Sequence, residues 1–214
     1  MASDAIAGGK RRGRPPASDS AETRRRILKI ARARFASSGY GSSTNRALAD
    51  EVGITAGALY HYFGSKLDLY VAVNDDVWAR IDGRLGEAVE GADGFVGKFE
   101  ALLDTAHELN EEDPTLAAFV GSIRADMRRH PEIAEALGPE IRRGNNLLVQ
   151  MVNAGVSSGE IDREHRRFVI EYVLTILVGL TDGVSHDAER HQRTVDSIKM
   201  MLHGDLVKIA PVSG

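Results

Sequence analysis

The run Thr55-Ala56-Gly57-Ala58 sets four small residues at the start of a segment that continues Leu59-Tyr60-His61-Tyr62-Phe63. On a helix, Leu59 and Phe63 share one face, and Tyr60 and His61 turn away from it with the small residues. That outer face has the chemistry of a DNA reader. Small side chains let a backbone approach the floor of a major groove, where Thr or Ala methyls meet a thymine methyl. The polar tips of Tyr60, His61 and Tyr62 can reach phosphates. Lys66 adds a charge beside Ser65, at a helix start that already favours an anion, and Thr44 can do the same for the preceding segment. The competing reading is structural: Tyr60 covers a core edge, Lys66 is a solvated charge, and Ala56 and Gly57 are small only so that the helix packs.

A second run, Arg12-Gly13-Arg14-Pro15-Pro16, resembles the AT-hook core, in which extended Arg-Gly-Arg-Pro lies in a narrow minor groove. Narrow A·T grooves have an enhanced negative potential that attracts arginine. Arg12 and Arg14 are therefore candidate minor-groove or phosphate contacts; the alternative is a basic leader.

Catalytic chemistry is poorly served. There is no cysteine, hence no disulfide framework and no thiolate metal site. The seven histidines are scattered. His186 and His191, five apart, do not share a helix face and read as part of a solvated connection. No nucleophile stands at a recognisable spacing from a base, and no glycine loop cradles phosphate. Neither an enzyme, a metal nor a cofactor is expected.

The net charge of −4 hides an asymmetry. Residues 1–66 carry 12 Lys and Arg against 5 Asp and Glu, a balance of +7; residues 67–214 carry 15 against 26, a balance of −11. A basic head on an acidic body suggests a polyanion partner, although charge alone fits a basic tail beside an ordinary acidic domain equally well. No apolar run approaches the ~18 residues of a membrane span. No apolar stretch follows Lys10, Arg11 and Arg12 to make a secretory signal, so a cytoplasmic protein is expected.

The elements that must position these residues read as helices throughout. Residues 1–20 lack an apolar period and are expected to be disordered in isolation. From Glu22, Ile27, Ala31 and Phe35 recur at helical spacing until Gly39 and Gly41. Ser43 or Thr44, Thr55 and Ser65 are N-caps of three successive helices, with Asp68 completing a capping-box variant. Leu67, Val71 and Trp78 are expected on the buried face of the third. Asp113-Pro114 opens a further helix, and Pro131 and Pro139 each open one more. Asp162 precedes the strongly apolar residues 168–184, and a last helix covers residues 189–203. The chain is expected to be all-α, with about nine helices and no strand. Its expected divisions are a basic extension (1–20), a helix-turn-helix domain (21–66) and a ligand-binding and dimerisation domain (67–214).

Residues 43–66, STNRALADEVGITAGALYHYFGSK, with the Gly39-Tyr40 spacer, resemble the TetR family of bacterial repressors. The likeness covers residues 22–78 and becomes one of layout beyond about residue 80. It implies a homodimer that binds double-stranded operator DNA and is released by a small apolar or amphipathic ligand. Thr44, Tyr60 and Lys66 match phosphate contacts, and Thr55, Ala56, Gly57 and His61 match the recognition helix. The last two long helices match a four-helix dimer seam, which residues 168–184, apolar nearly all round, also suggest. The competing function is a global or nucleoid-type DNA-binding protein that answers to no ligand.

Candidate lining for a ligand pocket is Trp78, Phe99, Leu103, His107, Phe119, Met127, Met151 and Tyr172. Each alone also reads as ordinary core. His107 lies on the stripe of Phe99 and Leu103, and a buried imidazole needs a partner, either a ligand or a backbone carbonyl.

Overall fold

A computed structural model describes residues 17–206, and of residues 17–19 and 139–146 the backbone alone. The described residues form nine α-helices and one 3₁₀ turn, without a strand: α1 (Ala17–Ser42), α2 (Asn45–Val52), α3 (Ala56–Tyr62), α4 (Lys66–Glu90), α5 (Gly94–Glu112), α6 (Pro114–Arg129), α7 (Pro131–Ser158), the turn Arg163–His165, α8 (Arg166–Gly183) and α9 (Ala188–His203). Arg12 and Arg14 lie outside the described residues.

The starts of these helices follow local chemistry. The hydroxyls of Thr44, Thr55 and Ser65 accept the amides of Ala47, Ala58 and Asp68 at 3.1, 3.1 and 3.0 Å, each satisfying an orphan donor of the first turn. Asp113 caps α6 through Thr115 N–H, with Pro114 at the first helical position. Gly53 ends α2 in the left-handed region (φ 77°, ψ 35°), a conformation that glycine adopts without strain.

Three expectations need correction. The first helix begins at Ala17, earlier than Glu22, and Gly39 breaks it (φ 75°, ψ 164°) before one more turn ends at Ser42. Pro139 opens no helix, because α7 runs through it to Ser158. A proline inside a helix removes one backbone bond; buried Ile133 and Leu137 before it, and Leu148, Met151 and Val152 after it, anchor both halves of α7. The buried face of α4 is Leu69, Tyr70, Val73 and Val77, whereas Leu67, Val71 and Trp78 are half-buried at its flank. Packing on α1 turns the first set inward.

Two apolar cores result. One joins Ile27, Ala31 and Phe35 of α1, Leu48 of α2, and Leu59 and Phe63 to Tyr70, Phe119 and Ile133, so it continues from the three N-terminal helices into α4, α6 and α7. Neither short helix would persist alone, since isolated helices of this length are marginal in water. The second gathers Phe95, Phe99, Leu103, Met151, Val173 and Val195 among α5, α7, α8 and α9. Between α6 and α8 the backbones nearly touch. A Cβ on Gly121 would stand 2.9 Å from the Thr181 carbonyl oxygen, so no larger residue fits there without a shift.

Candidate nucleic-acid interface and ligand cavity

Leu59 and Phe63 fix α3 against α1 and α2, which decides what α3 presents outward. Thr55, Gly57, Tyr60 and His61 are all exposed, Tyr60 by half its surface. Ala56 is half-buried and packs partly on the core, as does Tyr62. Thr44 is exposed at the start of α2. As N-caps, Thr44 and Thr55 use their hydroxyl oxygens as acceptors and keep the O–H free to donate to a phosphate. Lys66 is half-buried at the start of α4. Its ammonium donates to the Tyr40 carbonyl at 2.9 Å and lies 4.0 Å from the Tyr40 ring centre. Burial holds its pKa below the ordinary lysine range.

Two buried charged residues, neither singled out by the sequence reading, tie these helices to the body. Asp126 of α6 accepts Tyr40 N–H at 3.2 Å and the Tyr70 hydroxyl at 3.1 Å. Burial first, and then Asp126, push the Tyr70 hydroxyl well above the usual tyrosine range, so it remains a donor. Arg32 of α1 donates to Thr115 Oγ1 at 2.8 Å and to the Asp113 carboxylate. The signal was in the sequence: Asp126 follows Phe119 and Ile123 on one helical stripe, and Arg32 sits between Leu28 and Phe35 on another. A charge on an apolar stripe marks a buried ionic contact.

A cavity of about 250 Å³ lies among α4, α5, α6, α7 and α8. Trp78, Leu85, Leu109, Val120, Leu148 and Leu177 represent its mostly apolar wall. Of the eight predicted lining residues only Trp78 belongs to it. Phe99, Leu103 and Met151 are sealed in the second core, and Phe119 and Met127 pack in or against the first. Tyr172 is half exposed on α8. His107 meets His191 instead, with Nδ1 atoms 3.1 Å apart and rings stacked at 5.2 Å. His191 is therefore buried in contact with α5 and is no part of a solvated connection; burial, and then His107, hold its pKa below the ordinary value. The separation of these residues from the cavity is angular. On α5 the cavity takes Leu102, Ala106, Leu109 and Asn110, a stripe rotated by about one residue from Phe99, Leu103 and His107. The largest apolar side chains fill cores, and the cavity is left to the stripe beside them.

Residues 27–73 match the profile of the bacterial regulatory proteins of the tetR family. The HTH-type transcriptional regulator UidR of Escherichia coli (strain K12) is 30% identical over 169 residues, which cover 78% of this chain and 82% of UidR. The chain belongs to the tetR family of bacterial regulatory proteins. Another relative of this tetR-family regulator is the HTH-type transcriptional repressor KstR of Mycobacterium tuberculosis, 32% identical over 200 residues, with 86% of this chain and 82% of KstR covered. The solved structure of Salmonella enterica GusR superposes with a TM-score of 0.65 at 28% identity, covering 86% of this chain and 95% of GusR. The tetR-family fold and the role of transcriptional regulator follow. Among the described residues, no helix of this tetR-family protein is long and apolar enough to cross a membrane, and no cluster of metal-binding side chains forms.

Proposed function

We propose that this regulator is a homodimeric repressor that grips operator DNA through residues 21–66 and releases it when a small ligand enters the cavity within residues 67–214. Thr44, Tyr60 and Lys66 hold phosphates, and Thr55, Ala56, Gly57 and His61 face the bases. The Lys66 ammonium has three donors, so one can hold the Tyr40 carbonyl while another meets a phosphate, which gives this lysine a structural role as well. The observation that carries the reading is the double contact of α6. Val120, Ile123 and Arg124 of this helix line the cavity, while Asp113 and Asp126 at its two ends hold Arg32, Tyr40 and Tyr70. A ligand that displaces α6 therefore displaces α1 and α4, and with them the reading helix. The cavity favours this function over that of a nucleoid-type protein without ligand response.

The test is a linkage measurement. Operator sequences are selected from a random DNA pool, and small apolar compounds are screened for release. The released complex is expected to show ligand affinity weakened by operator as much as operator affinity is weakened by ligand, a coupling of ~1–3 kcal/mol. Equal ligand affinity with and without operator would eliminate the repressor switch.

Dimerisation is assigned to α8 and α9. Phe168, Tyr172, Thr175, Gly179 and Gly183 recur at helical spacing and are all exposed, with Met200 and Met201 exposed on α9. Phe168, Tyr172, Met200 and Met201 put most of the exposed large apolar side chains of the described residues on these two helices, as a helix-pairing face would. Tyr172, removed from the cavity, thus belongs to the subunit seam. Tyr172→Asp is expected to give monomers in sedimentation velocity at micromolar concentration and to weaken operator binding, because two half-sites are no longer engaged together. A Tyr172→Asp protein that stays dimeric would place the seam elsewhere.

A further inference from the structure

Among the described residues, the cavity wall holds four polar side chains: Asp82, Asn110, Arg124 and Thr181. Asp82 and Arg124 are exposed, so solvent satisfies them where the wall opens. Thr181 donates its hydroxyl to the Leu177 carbonyl of its own helix at 3.1 Å. The indole N–H of Trp78 is taken by Asn74 Oδ1 at 3.1 Å. Asn110 differs from all of these. It is 2% exposed, and neither its side-chain oxygen nor its nitrogen has a hydrogen-bond partner. Native proteins pair nearly all buried polar atoms, and those left unpaired call for a reason. A carboxamide with two free donors and a free acceptor, facing an apolar cavity, is a recognition group.

We propose that Asn110 is the polar anchor of the cavity, and that the ligand class is a compact, uncharged, largely apolar compound bearing a hydroxyl or carbonyl that meets this carboxamide. This rests on the reading above that the cavity takes a ligand. Three features set the class. The volume, about 250 Å³, lies just below the ~300–1,000 Å³ of pockets for drug-sized molecules, so the occupant is compact. Both charged wall residues are exposed, so an ionised group beside Asn110 would be buried without a counter-charge. A polyhydroxylated molecule such as a sugar would press most of its hydroxyls against leucines, which cannot pair them.

The test compares naphthalene with 2-naphthol, which differ by the one hydroxyl, by calorimetric titration of the full-length protein. The wild type, Asn110→Leu and Asn110→Ala are used, with Ala106→Trp, which fills the cavity, as a control for location. The affinity ratio of 2-naphthol to naphthalene is expected to fall at least about tenfold in both Asn110 variants, through loss of 2-naphthol binding alone. Ala106→Trp is expected to abolish binding of both probes. Asn110→Leu is further expected to melt no lower than the wild type, since leucine leaves no polar atom unpaired; a purely structural amide would lower the melting point. An unchanged ratio in both Asn110 variants, with both probes still bound, would overturn the anchor while leaving the cavity a ligand site. Failure of both probes to bind the wild type, or binding that survives Ala106→Trp, would overturn the ligand-cavity reading itself, and the anchor with it.

Discussion

Gly57→Glu is expected to weaken operator binding by at least a hundredfold in a protein that melts at or above the wild-type temperature. The two halves of this expectation have separate causes. Within the protein the substitution is benign. Gly57 is exposed, and a Cβ there meets only Thr55 Oγ1, at an ordinary 3.9 Å. It occupies the second position of α3, where a carboxylate complements the helix dipole, and glutamate is a better helix former than glycine by roughly 0.5–1 kcal/mol. On DNA the balance reverses. In the proposed docking the glycine lets the start of α3 approach the groove floor, whereas glutamate would interpose a side chain and a negative charge among phosphates. A hundredfold loss corresponds to about 2.7 kcal/mol, within reach of one buried like-charge clash. Gly57→Ala, measured beside it, should be stabilised and lose far less affinity. Electrophoretic mobility shift on the selected operator, with thermal melting of the free proteins, decides the matter. Retained affinity in Gly57→Glu would mean that α3 does not read the groove.

Asp126→Ala is expected to lose about 3 kcal/mol of stability, a fall of roughly 6–12 °C in melting temperature. Asp126 is 2% exposed and is a shared acceptor for Tyr40 N–H and the Tyr70 hydroxyl. Alanine takes the shared acceptor from two buried donors, and a buried donor that loses its acceptor costs about 1–3 kcal/mol. A second consequence concerns the switch. The contact is one of the two buried polar ties between α6 and the DNA-binding helices, beside the apolar packing of Phe119 and Ile123, so the variant should retain ligand binding and lose part of the ligand's effect on operator affinity. Asp126→Asn keeps one oxygen acceptor and should fall between alanine and wild type in both measurements. Calorimetric melting and the linkage titration above supply the readouts. A variant that melts like the wild type would remove Asp126 from the fold, and one with full coupling would remove α6 as the connection.

How far the sequence could be read depended on the range of the forces involved. The DNA-binding helices were legible because their signals are local: cap hydroxyls three residues from the amides they accept, a glycine where φ must be positive, and a few apolar side chains in and beside each short helix. The all-α class followed from the same periodicity. The cavity was not legible, because its wall is drawn from five helices and a rotation of one residue on α5 separates Leu102 and Asn110 from Phe99 and Leu103. Size was also a misleading guide. Phe99, Phe119 and Met151 are large because cores need filling, whereas Ala106 is small where the cavity needs room. Pro139 misled for a related reason, since a local helix breaker was overridden by anchors on either side. Asp126 and Arg32 could have been found as charges on apolar stripes, but their partners lie 56 to 86 residues away and only the fold brings them together.

The near-contact of Gly121 with the Thr181 carbonyl bears on how two operator half-sites behave together. At this point no side chain lies between the two backbones to take up a shift, so α6 pressed towards α8 carries it along, and in that direction the two act as one piece. One end of that piece grips the DNA-binding helices, and the other forms the proposed subunit seam. In the proposed homodimer, an occupied cavity in one protomer would thus be felt across the seam before the second cavity fills. The ligand response of the dimer should accordingly be cooperative, steeper than that of two independent sites, and a side chain at position 121 should flatten it.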